Sequence, residues 1–325
     1  MSEQPPQQQH HHATDVKPTS LRHLIGQTGV KAQVTVALEA AWADHRRFDH
    51  GMLTGSPGLG KSALATVIAA EMATELHEVL GQSIKRPADL NALLLSASDR
   101  DLIHIDEAHE LDKRMQTALY LALDKRVLLT GSDTGRKPQS VRLADFTLLL
   151  STTDEYKLLQ PLRDRMRLNL RFEFYSQAEL AEVVRQQVQA LRWEVGFGVA
   201  ERIAVSARGT PRIALSLLQS ARRVARSSGQ SAVTPMHLVK AFALEGLDAL
   251  GLNVTEQRHL RLLANGPTRL NVLASALGLP TRTVADVTES YLIRANLIAK
   301  NKDGLRELTS EGRAHLLEAD DSQAT

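Results

Sequence analysis

The sequence predicts an α/β protein in three parts: a phosphate-binding core on a parallel sheet, a small all-helical unit, and a C-terminal winged helix. Three observations carry that expectation. A Gly-rich stretch, GSPGLGKS at 55–62, stands between a short apolar strand and a helical pattern. Apolar runs at LIHI (102–105) and FTLLL (146–150) follow, separated by helical stretches, the alternation that builds a parallel sheet covered on both faces. Beyond residue 175 the pattern is helical until one hairpin, LIAKNKDGLRELT, close to the C-terminus.

In chain order, residues 1–15 have neither an apolar segment nor a periodicity, so they are expected to be a disordered polar tail, with His10, His11 and His12 solvated within it. From Thr28 to Arg47 apolar residues recur at helical spacing, and HGMLT (50–54) reads as a short buried strand. The core is placed at 16–175. Helical patterns broken at GFG and SSGQ define the helical unit, 176–250. Helical stretches at 255–264, 271–278 and 281–295 then precede a hairpin turned on Asp303 and Gly304, which together make a winged helix over 251–317, with 318–325 as a second disordered tail.

Bulk properties exclude several function classes. Hydrophobic residues at 43% and charged residues at 23% of 325 are those of a globular protein, and no apolar run is long enough to span a bilayer. With no cysteine there is no disulfide framework and no thiolate metal site, which fits a reducing compartment and makes the cytoplasm the expected location. A net charge of +2 is too mild to announce nucleic acid, so such binding must come from a local patch. Aromatics at 4% argue against base stacking as its main mode.

GSPGLGKS matches the pattern G-x-x-x-x-G-K-[ST]. Gly55, Gly58 and Gly60 let the backbone N–H groups of the loop turn inward on phosphates, with Leu59 and Ala63 flanking them. Lys61 reaches the β and γ oxygens of ATP, Ser62 can ligate Mg2+, and the helix starting there directs its positive end at the anion. In LIHIDEAHEL, Asp106 and Glu107 end a strand, where a Walker B aspartate holds magnesium and the next carboxylate orients water. Such acids often only cap the following helix, and the phosphate loop upstream decides for the functional reading. His104 reads as a hydrogen-bonded core histidine rather than a metal ligand, since no third ligand is near. The letters DEAH suggest a helicase with two RecA-like domains, but no second sheet follows residue 175. In TLLLSTT, either Thr152 or Thr153 ends a central strand beside the γ-phosphate, and either also serves as an N-cap.

RGTPRIA (208–214) combines an N-cap, Thr210, with Pro211 at the first helical position. Arg212 in the first turn opposes the helix dipole by about 0.3–1 kcal/mol, so an anionic partner such as a phosphate explains its placement, with a surface salt bridge as the alternative. In PLRDRM, arginines 163 and 165 flank Asp164, with Arg167 following. With Lys61 and Arg212 already serving the chain's own phosphates, a further arginine naturally reaches a neighbour's nucleotide, as an arginine finger does.

In order, VKPTSLRHLIGQ, GSPGLGKS, HIDEAHEL, STT, PLRDRM, RFEFY and RGTPRIA resemble the RuvB family, the AAA+ P-loop NTPase motors of Holliday-junction branch migration, from Val16 to about Leu316. The resemblance implies that Val16 and Lys17 lie near the adenine, Thr153 is sensor 1, Arg165 is the finger, Tyr175 borders the nucleotide, and Arg212 is sensor 2. It implies a hexameric ring on duplex or four-way junction DNA, a helical lid, and a wing that contacts DNA through Lys300, Lys302 and Arg306. Three departures stand out. Asp154 and Glu110 replace arginines of the family pattern, and the segment VLLTGSDTGRKPQSVRL is shorter and more polar at its tip than the family hairpin that grips RuvA. The sequence therefore speaks for the ATPase more firmly than for branch migration or for a RuvA-like partner. The expected activity is an ATP-dependent DNA motor in recombination and repair. The rivals are a clamp-loader or initiator-like ATPase and a nucleotide-switched winged-helix regulator, the last opposed by the finger and sensor arginines.

Overall fold

The computed structural model describes residues 18–130 and 139–323, so Val16, Lys17 and the hairpin tip lie outside the described residues. The core runs α1 (Thr28–Ala43), β1 (Gly51–Thr54), α2 (Lys61–Met72), β2 (Leu76–Leu80), α3 (Pro87–Ser96), β3 (Leu102–Asp106), α4 (Lys113–Lys125), β4 (Val127–Thr130), β5 (Gln139–Arg142), β6 (Thr147–Thr152), α5 (Gln160–Arg163) and β7 (Leu168–Arg171). β4 and β5 pair antiparallel as a separate hairpin. The others form one sheet in the order β2-β3-β6-β1-β7, with every neighbour parallel.

The three strands legible as apolar runs are the three in the middle. Covered on both faces, β1, β3 and β6 need continuous apolar sequence, and β6 is buried along its whole length. β2 (LHEVL) and β7 (LNLR) are edge strands with partly exposed side chains, and their interleaved polar residues hid them from a search for apolar runs. One face of the sheet presents Met52, Ile103, Ile105, Leu148 and Leu150 to α3 and α4, a core that Leu128 of the hairpin joins. By the two-residue alternation of a strand, Leu53, His104, Asp106, Leu149 and Ser151 occupy the opposite face, where α2 packs on β3 and β6. The phosphate loop between β1 and α2 therefore opens at the carboxyl ends of the central strands, where open α/β sheets hold ligands.

The chain divides into two compact units, one reaching Val183 and including Thr210–Arg212, the other comprising Val184–Gly209 and the chain from Ile213 onward. The helical lid consists of α6 (Gln177–Ala190), α7 (Val199–Ser206), α8 (Pro211–Ser227) and α9 (Pro235–Glu245). The winged helix comprises α10 (Val254–Leu263), α11 (Leu270–Leu277), α12 (Thr281–Thr283), which continues through a wider turn at Val284–Thr288 into α13 (Glu289–Arg294), then β8 (Ile298–Lys300), β9 (Arg306–Leu308) and α14 (Ser310–Gln323). Residues 318–323 are thus the end of a helix rather than a tail. Leu260, Leu263, Leu273, Leu292, Leu297 and Leu308 form the winged-helix core. Within this second unit Arg208 spans the lid and the winged helix. It donates to Gly251 O (3.0 Å) and to both carboxylate oxygens of the buried Glu256 (2.9 and 2.6 Å), and stacks 4.7 Å from the centre of the Tyr291 ring.

Candidate nucleotide site and winged-helix surface

The loop after β1 uses backbone conformations that L side chains avoid: φ is +146° at Gly55, +80° at Gly58 and +97° at Gly60. A Cβ at Gly55 would lie 2.9 Å from the Phe172 carbonyl oxygen, and one at Gly58 would lie 2.9 Å from the Arg212 Cβ. The glycines are therefore required by the close approach of two distant segments as well as by the turn. Lys61 begins α2 and is only 6% exposed, its Nζ donating to Gly55 O (2.8 Å) and Ser56 O (3.0 Å). Burial pushes its pKa down, Glu107 and Asp106 pull it up, and Arg212 pushes it further down. Ser62 Oγ donates to Asp106 Oδ2 at 3.0 Å, which brings the hydroxyl of one motif to the carboxylate of another.

Asp106 ends β3, and Glu107 turns the chain with φ of +50°, its N–H donating to Asp106 Oδ1 at 3.0 Å. Glu107 Oε2 lies 3.2 Å from His109 Nδ1 without the alignment of a hydrogen bond. His109 Nδ1 is instead partnered by Thr152 Oγ1 at 3.1 Å, while Nε2 lies 3.3 Å from Glu110 Oε1. Thr152 is fully buried, whereas Thr153 is exposed on the bend that follows β6. Between the two threonines left open by the sequence, Thr152 is the one in contact with the Walker B segment. Gly81 was missed by sequence reading. A Cβ there would sit 2.5 Å from Glu107 O, so only glycine lets the chain after β2 pass beneath the Glu107 turn.

Arg212 comes to the loop through its backbone N–H, which donates to Gly58 O at 3.3 Å. Tyr175 closes the loop's other side, its hydroxyl donating to Leu59 O at 3.2 Å, and burial pushes its pKa up to about 12. Gln27, also missed, joins the start of α1 to the segment before Tyr175, donating to Glu173 O (2.7 Å) and accepting from Glu173 N (3.1 Å). Gln27, Thr28, Arg171, Glu173 and Tyr175 line a groove of about 380 Å³ beside it.

Arg165 is engaged elsewhere. Its Nε donates to Asp124 Oδ1 at 2.5 Å, its other nitrogens reach Asp124 Oδ2 and Pro161 O, and the guanidinium lies 5.0 Å from the centre of the Tyr120 ring. The pair holds the Asp124 carboxyl below the usual carboxylate range. In the winged helix Lys300 and Lys302 are exposed, but the expectation for Arg306 needs correction. Its guanidinium donates to Gly304 O (3.0 Å) and from Nε to both oxygens of Glu289 (3.1 Å each), a carboxylate only 2% exposed. A buried carboxylate demands a paired cation, so Arg306 faces inward and fastens the wing to α13.

Comparison with known proteins accounts for nearly the whole chain. The model of the Holliday junction DNA helicase RuvB P-loop domain matches residues 16–172, that of the RuvB AAA lid domain 175–248, and that of the RuvB C-terminal winged helix domain 249–317. The Holliday junction branch migration complex subunit RuvB of Synechococcus sp. (strain RCC307) is 37% identical over 307 residues, covering 93% of this chain and 89% of its own. Its counterpart from Kosmotoga olearia is 34% identical over 307 residues, covering 93% and 90%. Among solved structures, the Thermotoga maritima RuvB Holliday junction branch migration motor superposes with a TM-score of 0.76 at 32% identity, covering 92% of this chain and 97% of that one. With a parallel sheet, a helical lid, a winged helix and a phosphate loop met by Asp106 and Arg212, this chain belongs to the RuvB family.

Proposed function

We propose that the chain hydrolyses ATP and uses the energy to move branched DNA, as a ring of identical subunits working at four-way junctions. The observation that carries this reading is the 3.0 Å contact between Ser62 Oγ and Asp106 Oδ2, two hard oxygen donors at the ends of α2 and β3. Such a donor set fits Mg2+, which when bound draws charge from the phosphates, and the glycine cradle with Lys61 fits the phosphates themselves. Lys61 and Arg212 offset the negative charge, Glu107 accepts the proton of the attacking water, and Thr153, on the exposed bend that follows β6, orients that water. Tyr175 borders the base. Arg165 serves the neighbouring subunit's γ-phosphate, so each complete site needs two chains and a closed ring, a hexamer by the family resemblance. Lys300 and Lys302 face the DNA backbone. A RuvA-like partner would dock on the β4–β5 hairpin, where Leu128 is already committed to the core and only 6% exposed and so offers it no apolar anchor.

Strand movement and ATP turnover measured with a four-way junction, a linear duplex and no DNA test the proposal. The junction is expected to give the largest turnover and to be resolved by strand movement. Turnover indifferent to DNA, or stimulated without strand movement, would point to a loading ATPase instead. No helix among the described residues is long and apolar enough to cross a membrane.

A further inference from the structure

We propose that His104 is a positioning residue for hydrolysis: through Ser151 on one side and Glu78 on the other, it fixes the end of β3, which bears Asp106 and Glu107, against the end of β6, which bears Thr152 and Thr153. The proposal rests on the ATPase reading above. Glu78, His104 and Ser151 lie on three adjacent strands, β2, β3 and β6, and on the face of the sheet that carries α2. His104 Nδ1 is 3.0 Å from Glu78 Oε1, and Nε2 is 2.7 Å from Ser151 Oγ. His104 and Ser151 have no exposed surface at all.

A carboxylate only accepts, so Nδ1–H donates to Glu78 Oε1, and Nε2 meets the Ser151 hydroxyl. The ladder leaves neither ring nitrogen unmet, which is the condition for placing an imidazole inside a sheet at low cost. Its position gives it a task. The backbone register of β3 with β6 stops at Ile105 and Leu150, while Ser151 and Thr152 pair with Leu53 and Thr54 of β1. Past that point side chains join the two strand ends, His104 to Ser151 on the α2 face and His109 to Thr152 beyond it. A carboxylate, imidazole and hydroxyl in line can also activate a serine nucleophile. Ser151, with no accessible surface, can reach no substrate, and its hydrogen bond serves geometry alone.

The test uses the full chain and reads kcat, KM, equilibrium ATP affinity and melting temperature for Ser151→Ala, His104→Phe, their double variant and His104→Gln, with Glu107→Gln as reference. Ser151→Ala and His104→Phe should lose about ten- to hundredfold in kcat with ATP affinity unchanged, the scale of a small misplacement of reacting groups. The double variant should be no slower than the slower single, because both break one ladder. His104→Gln, whose amide can accept from Ser151 and donate to Glu78, should keep its turnover. Wild-type kcat in Ser151→Ala beside an inactive Glu107→Gln overturns the positioning role alone, whatever happens to melting. Should His104→Phe not fold, Ser151→Ala, which removes a single oxygen, decides. Undiminished turnover in Glu107→Gln would instead overturn the ATPase reading and this inference with it.

Discussion

Arg165 grips Asp124 of its own chain with two nitrogens, Nε at 2.5 Å, while Lys61 Nζ donates to the carbonyls of Gly55 and Ser56 in its own loop. The pair lies at the surface, where ion pairs add little to stability, so it can be exchanged for a phosphate on a neighbouring subunit. An arginine supplied in trans is worth about 10³–10⁵ in kcat, so Arg165→Ala should bind ATP normally and nearly cease turnover. Mixed rings of Arg165→Ala and Lys61→Ala subunits, each retaining the part the other lacks, should recover hydrolysis. Rings shown by mass to be mixed yet inactive would assign Arg165 to its own site or to the fold.

Lys61 is buried against the loop it serves, and Glu107 sits on a strained turn with one oxygen lacking a hydrogen bond. Lys61→Ala should abolish nucleotide binding, whereas Glu107→Gln should bind ATP and hydrolyse it very slowly. Equilibrium binding and single-turnover hydrolysis separate the two, and equal affinity in Lys61→Ala and the unaltered chain would refute the assignment.

The wing residues should divide by where their charges point. Lys300→Ala with Lys302→Ala should flatten the slope of log DNA affinity against log salt by about 2 units, at about 0.9 per lost phosphate contact. Arg306→Ala should leave that slope alone and instead cost about 3–5 kcal/mol of stability, because Glu289 is then a buried charge without its partner. Titrations at several salt concentrations, with thermal melts, read both. A slope changed by Arg306→Ala in a normally stable protein would restore it to the DNA surface.

His50 supplies a pH dependence. Its Nδ1 accepts the Leu148 N–H at 2.8 Å, and burial pushes its pKa down to about 3. The folded state thus keeps this ring neutral while the unfolded chain takes up a proton below about pH 6.5. Its stabilising contribution is full above that value and is lost as the pH falls towards 3, about 1.4 kcal/mol per unit or about 2 kcal/mol by pH 5. Denaturant unfolding at pH 7 and pH 5 should show a loss that His50→Gln reduces. An equal loss in both proteins would assign the acid sensitivity to other groups.

Local chemistry made part of this protein readable from its sequence. GSPGLGKS places its glycines, lysine and serine within eight residues, so the phosphate loop is recognised from local sequence, and the acids of HIDEAHEL are then read in its light. The central strands announced themselves because burial on both faces demands unbroken apolar sequence. Tertiary structure decided whatever depends on which distant groups meet. Only the fold puts Arg212 against Gly58, Tyr175 on the Leu59 carbonyl and Gln27 on Glu173, since those contacts join segments far apart in the chain. It alone turned Arg306 inward, because the need to pair a buried Glu289 outweighs the solvation of one wing arginine, and sequence does not show which carboxylates are buried. It also made a three-strand ladder of Glu78, His104 and Ser151, residues that the chain separates and the register of a parallel sheet sets side by side.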